Sequence, residues 1–183
     1  MTQTPQGFST FNGPIFLIGF MASGKSTVAV RLAHLLPGYN VIDTDQAIEK
    51  REGCTISDLF AKEGEAYFRD CETHFLQTID PSAKWIVSCG GGIILREENR
   101  RFMQKLGPVI WLTAQPQTIL DRTKGNNERP LLRGKRTVTA VQNMLDSRRE
   151  SYEQAATHVI ATDELSPSVI AKQIREMLTA SPA

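Results

Sequence analysis

The sequence predicts an α/β fold, a five-stranded parallel sheet with helices on both faces, and three observations predict it. Short apolar runs alternate five times with amphipathic stretches of helical period. The clearest runs are continuous rather than alternating, as in strands covered on both faces. With 183 residues, 40% of them hydrophobic and 22% charged, and no internal repeat, the chain fits one domain with a proper core.

The elements follow in order. Ile15-Phe16-Leu17-Ile18 is an apolar run bounded by Gly13 and Gly19, a first strand. Beyond a Gly-rich turn, Val28, Leu32 and Leu35 recur on one face of a helix that Pro37-Gly38 stops. Val41-Ile42 reads as a short second strand leading into Asp43-Thr44-Asp45 and a helix around Ala47-Ile48. Thr55 and Ser57 offer N-caps for a short helix near Leu59-Phe60 that Gly64 closes, and Glu65 to Ile79 continues at helical spacing. Trp85-Ile86-Val87 is a strand running into Gly90-Gly91-Gly92. Val109 to Leu112 is another, followed by a helix through Ile119 and Leu120. Lys124 to Lys135 is polar and rich in Gly, Asn and Pro, a loop of a length that is more often functional than idle. A helix over Val138–Ala155, a strand at His158-Val159-Ile160 and a helix from Pro167 to Leu178 complete the pattern. Residues 1–13 read as a disordered leader, 14–180 as one domain, and about 123–136 as a lid loop over a site.

Charge and cysteine usage narrow the class. Against 20 Asp and Glu stand 21 Lys and Arg, so no global field selects a nucleic acid or an anionic membrane, and any anion site must be local. No apolar run approaches the length of a membrane span. Cys54, Cys71 and Cys89 are widely spaced, with no CxxC and no nearby His pair, which argues against a disulfide framework or a zinc site. Reduced packing thiols in the cytoplasm are expected.

Gly19-Phe20-Met21-Ala22-Ser23-Gly24-Lys25-Ser26-Thr27 matches Gly-x-x-x-x-Gly-Lys-Ser/Thr between a predicted strand and a predicted helix, the context that makes this motif a phosphate-binding P-loop. Small residues let the loop turn its N–H groups around phosphate oxygens, and the helix opening near Lys25 adds its positive dipole end. Lys25 is placed to reach the β- and γ-phosphates of ATP, and Ser26 to ligate Mg²⁺. The motif specifies a nucleotide but not an acceptor. The Asn-Lys-x-Asp by which GTPases read their base is absent.

Four further features fall in a specific order: Asp43-Thr44-Asp45, Phe68-Arg69 after Gly64-Glu65, Gly90-Gly91-Gly92, and Arg129-Pro130-Leu131-Leu132. With the P-loop, from about Ile15 to Leu178, they resemble the shikimate kinases. That resemblance implies a P-loop NTPase fold of the nucleoside monophosphate kinase type, and ATP-dependent phosphorylation of shikimate to shikimate 3-phosphate on the way to chorismate and the aromatic amino acids. It also implies a small-molecule enzyme acting as a monomer, without nucleic acid or membrane.

The resemblance implies roles for particular residues. Gly19, Ala22, Ser23, Gly24, Lys25, Ser26 and Thr27 would hold the phosphates, while Arg122 and Pro167 would flank the adenine. Arg69 and Arg148, the latter in an Arg-x-x-x-Tyr pattern with Tyr152, would grip the shikimate carboxylate with forked, charge-assisted hydrogen bonds. On residue type alone either arginine could equally be a solvated helix-face residue. Asp45 would orient the attacking hydroxyl, and Asp43 would stand on the Mg²⁺ side with help from Ser88. One of the pair could instead be a helix N-cap. Gly91 and Gly92 would let the backbone approach the substrate, though three glycines also make an ordinary turn. Arg129 would close over the γ-phosphate, while Arg133, Lys135 and Arg136 read as a solvated basic loop.

Two positions depart from the family pattern. Ala22 stands where glycine is usual and is tolerated if its φ is negative. Glu150-Ser151 stands where Pro-Leu is usual, so Glu150 could pair with Arg148 and weaken its grip on an anion. Three other readings compete with this one: a sister kinase for another polyol acid such as gluconate, a nucleotide-binding paralogue without catalysis, and a nucleic-acid-dependent ATPase. The first need not pair Arg69 with Arg148, the second would lack Lys25, Asp45 or Arg129, and against the third stand this chain's near-zero net charge and its lack of interleaved aromatic and basic residues.

Overall fold

The computed structural model describes residues 11–123 and 137–179. Arg129, with all of the lid expected at about 123–136 except Thr123, lies outside the described residues, as does most of the expected leader. Five strands, β1 (Ile15–Ile18), β2 (Asn40–Asp43), β3 (Trp85–Ser88), β4 (Val109–Thr113) and β5 (His158–Ala161), form one sheet in the order β2-β3-β1-β4-β5. Every pairing is parallel, as the continuous apolar runs predict.

The two faces separate by residue parity. Ile15 and Leu17 of β1 point into one core with Ile86, Ile110 and Leu112. That face is covered by α1 (Lys25–Ala33) through Val28, Ala29 and Leu32, and by α7 (Pro167–Thr179) through Ile170, Ala171 and Ile174. Phe16 and Ile18 point the other way, onto Leu76 of α3 (Ile56–Gln77), Met103 of α4 (Glu97–Leu106), and Tyr152 and Ala155 of α6 (Val138–Ala155). All four β1 side chains are at most 1% exposed, so the central strand is the dry spine of the molecule. Among the described residues no helix is long and apolar enough to cross a membrane.

Local chemistry sets the helix boundaries. Asp43 caps α2 (Thr44–Glu52), its Oδ1 accepting the Asp45 and Gln46 N–H groups at 3.1 and 3.4 Å, and Gly53 ends the helix in the left-handed region. Thr55 caps α3, accepting the Asp58 N–H at 3.1 Å. Gly64, at φ 83° and ψ 175°, breaks α3 into two segments, so the predicted stop is a kink rather than an end. α5 (Pro116–Thr123) follows β4. The apolar pattern predicts no element between Gly92 and Val109, yet a 3-10 turn (Ile93–Leu95) and α4 occupy that stretch. α4 is sharply amphipathic, with Phe102, Met103 and Leu106 on one face of an otherwise polar helix, so the helical period is present in the sequence and only the lack of a longer apolar run conceals it.

Parallel strands align their carboxyl ends, and the connections leaving the neighbouring strands β1 and β3 run in opposite directions across the sheet, from β1 toward β2 and from β3 toward β4. The loops after β1, β2 and β3 therefore rim one crevice, the position at which open α/β sheets bind ligands. The loop after β1 carries a correction. Ala22 does not have negative φ; it sits at φ 58°, the one described residue other than glycine with positive φ. Its carbonyl accepts from an Arg122 Nη1 at 3.3 Å. The reversal that wraps this loop is thus made by a residue whose Cβ opposes it, at about 1–2 kcal/mol. Replacing Ala22 by glycine removes that strain but adds freedom to the unfolded chain, leaving about 0.5–1 kcal/mol of net stabilisation. A22G should melt a few degrees higher in a thermal scan. An unchanged or lower melting temperature would count against strain at this position.

Candidate functional site

The Gly19–Thr27 loop leads from β1 into α1. Gly24 is the N-cap of α1 in left-handed geometry, with no side-chain cap, and no acidic residue occupies the first turn. The N–H groups at this end are therefore not neutralised from within, which suits an anion. Lys25 lies back along the loop, its Nζ donating to the Gly19 and Phe20 carbonyls at 2.9 and 3.0 Å. A Cβ on Gly19 would meet the Leu112 carbonyl and come within 2.7 Å of Ser23 Oγ, so only glycine can start the loop here. Ser23 is fully buried, and its Oγ has no hydrogen-bond partner among the described residues. Thr27 is exposed on the first turn of α1.

Three oxygens cluster beside α1. Ser88 Oγ lies 3.0 Å and Ser26 Oγ 3.2 Å from Asp43 Oδ2, and the two hydroxyls are 3.1 Å apart. Asp43 is thus the N-cap of α2 through one carboxylate oxygen, and its other oxygen joins the serines. Neighbouring ligand oxygens on an octahedral Mg²⁺ at about 2.0–2.1 Å stand about 3 Å from one another, so these three spacings are compatible with one triangular face of such a sphere. Among the described residues no group of three His, Cys, Asp or Glu could hold a metal, so a cation here would rely on water and phosphate for its remaining ligands.

On the other side of the crevice the glycine turn after β3 gathers the remaining candidates. A Cβ on Gly90 would strike Asp45 Oδ1, one on Gly91 would sit 3.9 Å from an Arg148 Nη1, and one on Gly92 would strike the Arg69 guanidinium. Gly91 O accepts from Arg148 at 3.3 Å and from the Tyr152 hydroxyl at 3.1 Å. Tyr152 is buried and stacks on Trp111 at 5.2 Å between ring centroids, while Arg148 lies 5.8 Å from the Phe20 ring centroid. Glu150 does not pair with Arg148: it is exposed and accepts from Gln154 at 3.0 Å. Arg122 bonds to the Thr162 carbonyl at 2.7 Å and hydroxyl at 3.0 Å, in the segment that leads to Pro167 at the head of α7.

Sequence pattern alone misses Glu72. It lies one turn beyond Arg69 on α3, its side chain wholly buried, with Oε2 2.6 Å from Arg69 Nη1. Arg69 also reaches the exposed Glu65 at 2.8 Å. The Arg–x–x–Glu spacing is the only signal in the sequence, and it is common on solvated helices. Burial pushes Glu72 up to about 7 against the attraction of Arg69, while on Arg69 burial is the largest single influence and works downward, and Glu72 and Glu65 together outweigh it and keep the guanidinium charged.

The family model described as shikimate kinase matches residues 21–179. The chain is 42% identical over 160 residues to a shikimate kinase of Persephonella marina, covering 87% of this chain and 95% of that one. Its structure superposes on shikimate kinase from Acinetobacter baumannii in complex with shikimate with a TM-score of 0.85 and 32% identity, over 92% of this chain and 94% of that one. A gluconokinase from Sinorhizobium meliloti, at 17% identity and TM-score 0.55, shares the fold alone.

The raised Glu72 has a consequence for stability. Its folded value, about 7, exceeds an ordinary carboxyl at 4.5, so the stability it contributes is full below 4.5 and is lost as pH rises through 7. E72Q lacks that dependence. Wild type should therefore lose up to about 3 kcal/mol relative to E72Q between pH 5 and pH 8 in urea unfolding. A gap that stays constant with pH would show Glu72 ionised throughout.

Proposed function

The chain belongs to the shikimate kinase family, and from that premise we propose that its site phosphorylates shikimate with ATP through the residues gathered at the carboxyl ends of β1, β2 and β3. One observation carries the residue assignment: Asp45, Arg148 and Arg69 each lie against a successive glycine of the Gly90–Gly92 turn. A carboxylate facing two guanidinium groups across a backbone with no side chains suits a small acid bearing several hydroxyls.

Arg69 and Arg148 take the substrate carboxylate, and Asp45 accepts from the hydroxyl that attacks and receives its proton as the bond to phosphorus forms. The γ-phosphoryl group passes to that oxygen and ADP leaves. Lys25 turns from the Gly19 and Phe20 carbonyls toward the phosphates, and the N–H groups at the head of α1 hold the rest of the chain of phosphates. Ser26, Asp43 and Ser88 hold Mg²⁺, directly or through water. When bound, the ion supplies neutralisation of phosphate charge. Arg122, tied to Ala22 and Thr162, and Pro167 flank the base, and Arg129 belongs to the same proposal by family pattern alone. The proposal further takes the enzyme to act as a monomer in the cytoplasm, with Cys54, Cys71 and Cys89 free.

ADP release measured over a panel of hydroxy acids should depend on shikimate. Equal turnover of gluconate would remove the acceptor assignment and leave ATP use standing. R69A should raise the shikimate KM by about 10- to 100-fold, the worth of a charged hydrogen-bond pair, and leave the ATP KM nearly unchanged. Equal damage to both would make Arg69 structural. A separate variant isolates the metal side. In D43N the amide oxygen still caps α2, since Asn and Asp cap about equally, but the second carboxylate oxygen is lost. D43N should melt close to wild type yet need about tenfold more Mg²⁺ for half-maximal rate. An unchanged Mg²⁺ requirement would remove Asp43 from the ion's surroundings.

A further inference from the structure

We propose that Thr44, which touches neither substrate nor nucleotide in the reading above, is a positioning residue: its hydroxyl pins the Gly90–Gly92 turn and thereby sets the spacing of Asp45, Arg148 and Arg69. The proposal rests on that reading for its kinetic consequence and on geometry alone for its structural one.

β2 and β3 remain paired up to Asp43 and Ser88, where the ladder ends. Beyond that point the chains part, β2 into α2 and β3 into the glycines. Cys89 is still held from the other side, its N–H donating to Leu17 O of β1 at 3.0 Å. The next N–H, that of Gly90, faces β2, and no strand carbonyl meets it. Thr44 Oγ1 takes it instead at 2.7 Å, a side chain standing in for the missing rung of the ladder. Thr44 is fully buried, so water does not offer Gly90 an equivalent partner from that side.

The consequence lies in what rests on the turn. Gly90 packs against Asp45, the residue after Thr44, and a Cβ there would also come within 3.2 Å of Glu72 Oε1. Gly91 O is held from α6 by Arg148 and Tyr152, and Gly92 abuts Arg69. The turn closes on itself through the Ile93 N–H to Gly90 O at 3.2 Å and the Leu95 N–H to Gly92 O at 3.0 Å, and its backbone is tied to other elements by α6 at Gly91 and by the Thr44 hydroxyl at Gly90. Glycines supply no side chains to hold themselves in place. Removing the Thr44 anchor lets Gly90 shift while the α6 anchor stays, which changes the distance from Asp45 to the two arginines. Misplacement of reacting groups by a fraction of an ångström to about 1 Å costs up to about 100-fold in rate. The P-loop, built on β1 and α1, is left where it is.

The test compares the full-length wild type with T44V, which keeps the shape and loses the acceptor, and T44S, which keeps the acceptor and loses the methyl. Without substrate, amide exchange over residues 89–92 should be about tenfold or more faster in T44V, and near wild type in T44S. With shikimate and ATP varied separately, T44V should raise the shikimate KM about 5- to 30-fold and leave the ATP KM within about twofold, with T44S restoring both. Unchanged exchange in T44V overturns the anchor. So does T44S behaving like T44V, since packing and not the hydroxyl would then matter. Equal rises in both KM values, or failure of both T44V and T44A to fold, would assign Thr44 to general stability and overturn the proposal as well. If wild type releases no ADP with shikimate while the exchange result holds, the acceptor reading falls and the anchor stands.

Discussion

The crevice beside the Gly90–Gly92 turn depends on two missing Cβ atoms. Asp45, from the corner after β2, and Arg69, from α3, come close enough to the turn after β3 that a side chain at Gly90 or Gly92 would occupy the same space, and Arg148, from α6, lies against the residue between them. Side chains from three separate elements can therefore converge only because the backbone between them is bare. Packing alone would hold such groups apart, since interiors at native density leave no gap of that size unfilled. The glycines make a floor, and the charged groups are its walls.

That arrangement creates an electrostatic problem, and Glu72 answers part of it. Two guanidinium groups facing one small volume repel each other and demand counter-charge when no anion is bound. Glu72 supplies it to Arg69 from beneath, at 2.6 Å and out of solvent. The chain as a whole carries a formal charge of only +1, so the positive field at Arg69 and Arg148 is local and is assembled from side chains far apart in sequence. The cost is a buried carboxyl raised to about 7, which leaves the strength of the Arg69 pair sensitive to pH in the range where cells operate.

How much of this was legible in the sequence follows from how local each feature is. The five strands and the P-loop were legible, because continuous apolar runs and a nine-residue motif carry their own context. The kink at Gly64 was half legible: glycine signals a break, but only packing decides whether the helix resumes. α4 was legible and missed, because Phe102, Met103 and Leu106 mark one helix face at the right spacing but form no run long enough to stand out from their polar neighbours. Asp43, Asp45, Arg69 and Arg148 were legible as candidates through family resemblance and not through residue type, since each has an ordinary helix-surface alternative. Glu72 and Thr44 were silent. Their importance arises from burial and from partners on other elements, and neither Arg–x–x–Glu nor a threonine at a helix start separates them from background. Ala22 was visible as a departure, but the sign of its φ is a property of the folded loop.

Asp43 shows why residue type could not decide between scaffold and site. A carboxylate has two oxygens, and here each has a different employment: Oδ1 satisfies N–H groups at the head of α2, while Oδ2 faces Ser26 and Ser88. The helix cap fixes the rotamer, so the second oxygen is presented to the serines without further loss of side-chain freedom. The same economy recurs one residue later, where the backbone of Thr44 begins the helix and its hydroxyl completes the sheet edge. Asp43, Thr44 and Asp45 therefore act as a joint between secondary structure and chemistry. The strand ends there, the helix starts there, and the three side chains face the serine cluster, the glycine turn and the acceptor crevice in turn. Sites of this kind resist separation into folding residues and functional ones, because the hydrogen bonds that end one element are those that aim the next side chain.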